Sequence, residues 1–369
     1  MAYRNSFPFA GLMVLAGCSG GGSEPGPVPT PAPTVVPSPT PSPSPSPTPS
    51  TAAIQAAIDA APVADLYVIV GTRQGVVYRY QKGRFPSTAV YPIASATKML
   101  SGATILRLVE AGRMSLGDHP QKYLSYWTND PADPRSRVTL QQLLSFTSGF
   151  NPGETDRGCI SDGSTTIAAC AREFYERGLD TAPGSAFSYG PAHLQIAGAM
   201  AEAATGQTFP NLFRQNVANP AGMSSQTTYS IPSGTNPRLS GGGESTAEDY
   251  AAFLSAMLAG RLLTDIDTYV ADRTAGLPVL NEPDATEISG DWHYGLASWH
   301  ECDDTPFSSR CAAARLISSP GAFGWTPWID FDRGYWALIA MYVPIGGAQQ
   351  GVALEQKLQP LINAYIGLP

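Results

Sequence analysis

The chain has 369 residues, a formal net charge of −8, 14% charged residues and 43% hydrophobic ones. That length holds one large domain or two modest ones, either with a substantial core. No run of Lys or Arg occurs, so the electrostatic footprint of a nucleic-acid binder is missing, and lysine is scarce: Lys82, Lys98, Lys122 and Lys357 are the only four.

The first 18 residues read as an export signal, residues 1–18 forming the first of three segments. Arg4 supplies a positive start, residues 7–17 are an apolar stretch too short to anchor in a bilayer, and Leu15-Ala16-Gly17-Cys18 resembles a bacterial lipobox, at which the cysteine is acylated. Ser19 follows in place of the Asp that retains such proteins at the inner membrane, so the expected location is the outer membrane, held by the lipid anchor on Cys18. Residues 19–51 carry Gly and Ser and then a Pro-Ser-Pro-Thr repeat. Such a run has nothing to bury and few backbone donors, which predicts a semi-rigid polyproline spacer of up to about 3 Å per residue.

Residues 52–369 read as one globular domain. An Ala-rich helix is expected over 51–61, then strands over 66–71 and 75–80 joined by a tight turn. The spacing of Met99, Ala103, Leu106 and Val109 predicts a helix over 99–110, stopped by Gly112 and with most of its circumference buried. The middle is helical and rich in loops; Ser245-Thr246-Ala247-Glu248 reads as a capping box opening a helix to Leu258. Three strands follow over 314–319, 325–330 and 335–343, the last two joined by the turn Phe331-Asp332-Arg333-Gly334, and an amphipathic helix closes the chain over 349–365. Strands at both ends with helices between predict an α/β (α+β) fold: one antiparallel sheet built from both chain ends, flanked by helices, with an inserted helical lobe and a site at the seam. Export implies an oxidising compartment, and setting Cys18 aside leaves Cys159, Cys170, Cys302 and Cys311 as two disulfides; of three pairings the sequence-local one, Cys159–Cys170 with Cys302–Cys311, is expected.

Ser95-Ala96-Thr97-Lys98 opens the buried helix. Three residues is one turn, so Ser95 and Lys98 share a face, and a serine nucleophile needs a base within hydrogen-bond reach. The helix N-terminus favours an oxyanion at Ser95 and disfavours a charge on Lys98. Other chemistry finds little support. Gly17-Cys18-Ser19-Gly20-Gly21 fits a nucleophile-elbow pattern but sits at the signal cleavage point. His119, His193, His293 and His300 lack metal-ligand spacing, and no phosphate loop or dinucleotide fingerprint follows a strand, so neither metal nor cofactor is expected.

The flanks of Ser95, the run 108–118, the block Val138-Thr139-Leu140-Gln141-Gln142-Leu143-Leu144-Ser145-Phe146-Thr147-Ser148-Gly149, the segment Pro183-Gly184-Ser185-Ala186-Phe187-Ser188-Tyr189 and Gly241-Gly242-Gly243 before the capping box stand in the order found in one family. Over residues 55–369 the chain resembles the class C β-lactamase-related and penicillin-binding-protein-like serine hydrolases. The resemblance implies Ser95 as the acylated nucleophile, Lys98 as the group that holds or relays its proton, and Tyr189 as general base. It implies an oxyanion hole from the N–H groups of Ser95 and Ala322, and a substrate-binding edge at Ser319 and Gly321 in Ser319-Pro320-Gly321-Ala322.

Three positions depart from the family pattern. Phe146 stands where a His is usual. Tyr189-Gly190-Pro191 lacks the Asn that orients a substrate carbonyl, leaving His193 as the residue to replace it. Ser319 replaces the Lys or His that binds a β-lactam carboxylate, with Arg315 the nearest cation in sequence. These departures point to a carboxylesterase-like hydrolase of a small ester, amide or peptide. A β-lactamase or D-Ala-D-Ala carboxypeptidase is the first alternative and a non-catalytic module binding cell-wall peptides the second, against which stands the intact set Ser95, Lys98 and Tyr189.

Overall fold

The computed structural model describes Gly26 and residues 50–150, 158–283 and 291–367. The unit Thr48–Pro369 carries the fold. The expectations for Cys18 and almost all of the 19–51 spacer lie outside the described residues.

A seven-stranded antiparallel sheet forms the centre. Its strands are β1 (Leu66–Thr72), β2 (Gly75–Lys82), β3 (His293–Tyr294), β4 (Trp299–His300), β5 (Leu316–Ser318), β6 (Thr326–Asp330) and β7 (Tyr335–Met341), in the order β2-β1-β7-β6-β5-β4-β3. The two ends of the chain meet where β1 pairs with β7, in a register running from Leu66 opposite Met341 to Thr72 opposite Tyr335. Both strands are buried along their whole length, which is why each reads in sequence as an unbroken apolar run rather than an alternation. Gly71 lies opposite Trp336, and a Cβ there would stand 2.3 Å from the indole, so the largest side chain of the strand pair depends on the smallest.

Side-chain alternation along β1 feeds two cores. Leu66, Val68 and Val70 point to one face, where helices α1 (Ala52–Asp59) and α7 (Gly347–Ile366) contribute Ile54, Ile58, Leu354, Leu358 and Ile362. Tyr67 and Ile69 point to the other face. There lies α2 (Thr97–Glu110), buried from Thr97 to Leu106, with the helical lobe beyond it: α3 (Leu140–Leu144), α4 (Ile167–Arg177) and α5 (Ala192–Thr205), together with α6 (Ala247–Leu258). The expected architecture is therefore present, with β3 and β4 added at one edge; two residues each are too short to carry a periodicity. No helix among the described residues is long and apolar enough to cross a membrane.

Helix α6 starts one residue later than expected. Its cap is Thr246, whose hydroxyl accepts the Asp249 N–H at 3.0 Å, while Glu248 turns outward to accept from the Tyr67 hydroxyl at 3.0 Å. Asp249 is held in place because Ser224 and Thr227 donate to it. A complete capping box occurs instead at α3, where Thr139 and Gln142 bond each other's backbone. The disulfides Cys159–Cys170 and Cys302–Cys311 both form, in the expected pairing.

This packing encloses ionisable groups of two kinds. On α5, His193 is fully buried, with Nε2 at 2.8 Å from the Ser188 carbonyl and Nδ1 at 2.8 Å from Ser148 Oγ. A carbonyl only accepts, so Nε2 carries the proton and Nδ1 accepts from Ser148. Burial pushes the His193 pKa down to about 4, against the opposing pull of the Ser188 carbonyl and with further lowering from nearby Lys98. On the other side of the sheet Glu301 and Glu355 adjoin one another in full burial, with Gln359 donating to Glu301 at 2.8 Å. Burial pushes both carboxyls up, and the neighbouring Glu301 raises Glu355 further while a hydrogen bond from Glu355 eases Glu301, so the pair retains a proton well above the usual carboxylate range.

The two sites load the pH dependence of stability in opposite senses. Unfolded His193 takes a proton near pH 6.5 and folded His193 only near pH 4, so its contribution is complete above 6.5 and is lost between the two, on the order of 3 kcal/mol. The carboxyl pair behaves inversely: its burden grows as pH rises above the unfolded carboxylate pKa. Denaturant melts should therefore show His193→Gln losing the part of wild-type destabilisation that appears between pH 6.5 and 4. Glu355→Gln should gain on the wild type as pH rises from 5 to 8. Parallel stability profiles for wild type and variants would contradict both assignments.

Candidate active site

Ser95 sits in a single 3-10 turn, Ala94–Ala96, that runs straight into α2. Ala94 before it has φ 45°, the left-handed region that L-residues avoid. Among the described residues two other non-glycines share that conformation, Phe146 and Ala297. Both border the same place: Phe146 packs on Tyr189, and Ala297 bonds the Leu144 carbonyl two residues before Trp299, which stacks on Tyr189. Backbone strain of this kind persists where surrounding contacts over-determine it. Here they do: the Ile93 N–H donates to Gly243 O (3.0 Å), Gly243 N–H to Thr97 Oγ1 (3.0 Å) and Tyr250 Oη to Ala96 O (2.7 Å).

The expected Ser95–Lys98 pair is present. Lys98 Nζ lies 2.9 Å from Ser95 Oγ and 2.9 Å from the Ser240 carbonyl. Its side chain is fully buried while Ser95 is partly exposed. Of the other three lysines, Lys82 caps the carbonyl end of α1, Lys122 pairs with Asp118 at 2.8 Å and Lys357 is exposed. Lys98 is thus the one whose burial and partner suit proton transfer.

Tyr189 joins them. Its ring lies under Lys98 Nζ at 4.3 Å from the centroid and is stacked on Trp299 at 5.3 Å, with Phe146 and Tyr294 around it. The backbone is fixed as well, the Tyr189 N–H donating to Asn281 O at 2.7 Å and the Asn281 amide returning a bond to Tyr189 O. His193 does not take the place of the missing Asn. Both its nitrogens are spent inside the protein and its ring stacks on Phe146 at 4.8 Å, so it holds the Ser188–Tyr189 segment from behind. Phe146 and His193 together fill the space beneath the tyrosine.

The segment 319–322 comes alongside the turn that carries Ser95. A Cβ on Gly321 would stand 2.3 Å from Ile93 O, so only glycine permits the approach. The Gly321 N–H donates to Trp325 O and the Gly324 N–H back to Gly321 O, both at 2.8 Å, which leaves Ala322 at the exposed tip of the turn. The α7 start fixes that tip, Ala348 N–H donating to Ala322 O at 3.2 Å. Ser319, expected at the substrate-binding edge, is buried, and its hydroxyl donates to Ser95 O at 2.8 Å, making it a tie between strand and the Ser95 turn. Arg315 is no substitute cation, since its guanidinium is bound to Asp332 (2.8 Å) and Asp267 (3.1 Å).

Sequence reasoning missed Ser240, Asn281 and Trp299. Ser240 acts through its carbonyl and Asn281 through its backbone as well as its amide, which no side-chain pattern announces. Trp299 stands on a two-residue strand.

Comparison with known proteins places the chain. It matches the beta-lactamase family over residues 51–345. A putative β-lactamase from Bacteroides dorei superposes with a TM-score of 0.70 at 26% identity, covering 84% of this chain and 97% of that one. EstCE1, a hydrolase with promiscuous acyltransferase activity, shares the fold with a TM-score of 0.64 at 17% identity, covering 83% of this chain and 96% of that one. Protein flp of Staphylococcus aureus is 26% identical over 150 residues, which is 40% of this chain and 30% of that protein's own length. The chain belongs to the beta-lactamase family of serine hydrolases, with a transpeptidase-like fold.

Proposed function

We propose that this protein is a carboxylesterase-like hydrolase that acts through a Ser95 acyl-enzyme on a small, neutral ester or amide. The observation that carries the reading is the 2.9 Å contact between Ser95 Oγ and a fully buried Lys98 Nζ. An amine at that distance is positioned to exchange a proton with the serine hydroxyl.

In acylation Ser95 Oγ bonds to the substrate carbonyl carbon as its proton passes to Lys98 Nζ. The carbonyl oxygen becomes an oxyanion facing the N–H groups of Ser95 and Ala322. Collapse breaks the bond to the leaving group, which takes the proton back by way of the Tyr189 hydroxyl. In deacylation water gives a proton along the same route, its oxygen bonds to the acyl carbon, and Ser95 Oγ departs and is reprotonated. Nothing is consumed beyond substrate and water.

Two features support an ester over a β-lactam. The hydroxyl at position 319 is spent on Ser95 O, and Arg315 is paired elsewhere. A cation bonding a substrate carboxylate contributes on the order of 1.5–3 kcal/mol, roughly 10- to 100-fold in kcat/KM, and a neutral ester forgoes nothing without one.

Export and lipidation at Cys18 complete the proposal, with the 19–51 spacer holding the domain off the outer membrane. The two disulfides support an oxidising compartment.

Ser95→Ala and Lys98→Met should each lower p-nitrophenyl acetate turnover by at least about a thousandfold while leaving the melting temperature of Ser95→Ala near wild type. Turnover retained by Ser95→Ala would assign the chemistry elsewhere. The wild type should prefer p-nitrophenyl acetate or butyrate to nitrocefin and to D-Ala-D-Ala peptides by at least about tenfold in kcat/KM; efficient nitrocefin hydrolysis would overturn the esterase preference. Radiolabelled palmitate fed to an expressing bacterium should enter the wild type and not Cys18→Ala. Equal labelling of the two would remove the anchor.

A further inference from the structure

Beyond Ala322 the chain builds an aromatic surface that the reaction steps do not use. Phe323, the next residue, is half-buried, and its ring centroid lies 5.1 Å from that of Tyr342. Tyr342 is 5.9 Å from Tyr91, which is stacked on Phe85 at 4.5 Å. The Val343 N–H donates to Phe323 O at 2.9 Å, so the row is held by backbone as well as by ring contacts. It begins beside the proposed oxyanion donor Ala322. It returns to the nucleophile through Tyr91, which opens the short segment Tyr91–Pro92 leading by Ile93 to Ser95.

This surface is wet where a core would be dry. Tyr342 is 42% exposed and Ile345, three residues on, is 89% exposed. Across the site Val279 and Leu280 are also exposed, on the strand whose next residue, Asn281, accepts the Tyr189 N–H. Eight large apolar side chains stand in solvent among the described residues, and these four lie on segments bonded to Ala322, Phe323 or Tyr189. Single exposed apolar residues are ordinary; several on segments bonded to Ala322, Phe323 and Tyr189 form a surface suited to an apolar group.

We infer that the site selects substrates bearing an aryl or similarly bulky apolar group, received on a shelf formed by Phe323, Tyr342 and Tyr91 beside Ser95; this rests on the hydrolase reading above. The rings favour an aromatic partner because offset and edge-to-face contacts add to simple burial. The shelf itself carries no charge, which suits a neutral group. Covering part of a phenyl ring there predicts a preference on the order of tenfold in kcat/KM.

The test follows hydrolysis of ethyl acetate, ethyl 4-phenylbutanoate and 4-phenylbutyl acetate by pH-stat, placing the phenyl group on the acyl side or on the alcohol side. At least one phenyl ester should exceed ethyl acetate by about tenfold in kcat/KM. That ratio should fall towards one in Tyr342→Ala and in Phe323→Leu, and persist in Val76→Thr on the distant edge strand β2. Because the ratio is internal to each preparation, partial misfolding cannot imitate its loss. No phenyl preference in the wild type, or a ratio unchanged in both shelf variants, overturns the shelf and leaves the hydrolase reading standing. Turnover of none of the three esters overturns that reading and the shelf with it.

Discussion

A lysine amine taken wholly out of water, with the Ser95 hydroxyl as one of its partners, sets the terms for the packing around it. Lys98 is fully buried, and its Nζ is met by Ser95 Oγ, the Ser240 carbonyl and the Tyr189 ring face. Each partner comes from a different part of the chain. Taking an amine out of water is costly unless other groups meet it, and here the Ser95 hydroxyl, the Ser240 carbonyl and the Tyr189 ring face do so.

That convergence explains the architecture around it. α2 runs through the centre between the terminal sheet and the helical lobe, and its polar side chains are used as fasteners: Ser101 Oγ donates to Leu239 O at 2.7 Å and lies 2.8 Å from Tyr229 Oη. Those bonds hold the 239–245 segment, which presents Ser240 O to Lys98 and Gly243 to Ile93. From the lobe, His193 braces the Ser188–Tyr189 segment. From the sheet, Gly321 comes within contact of Ile93 O, and Ser319 ties to Ser95 O. A sheet closed by both chain ends is therefore a way of bringing the third segment to the first.

Much of this was legible in the sequence because the signals were local or periodic. The buried circumference of α2, the apolar runs of β1, β6 and β7, and the Ser95/Lys98 spacing each follow from one short window. The tyrosine at 189 and the glycine at 321 came only with the family resemblance, since their roles depend on contacts across long separations. Two positions show an orientation that residue type does not announce. Ser319 and His193 are polar side chains whose assignment hinged on which way they face, and both turn inward to backbone carbonyls. At α6, Ser245-Thr246 and Glu248-Asp249 offer two overlapping caps, and the choice of Thr246 with Asp249 is made by Ser224 and Thr227 from a distant segment. Carbonyl partners such as Ser240 O leave no trace in residue type at all.

A serine held by a buried amine should form a covalent acyl intermediate, and that intermediate can be caught. The decisive experiment mixes the enzyme with p-nitrophenyl butyrate, quenches in acid within milliseconds and maps the protein by mass spectrometry. A butyryl mass should appear on the peptide bearing Ser95, rise with the burst of nitrophenol and decay as turnover ends. Nitrophenol release with an unmodified Ser95 peptide, or with the butyryl group on another residue, would contradict the Ser95–Lys98 chemistry.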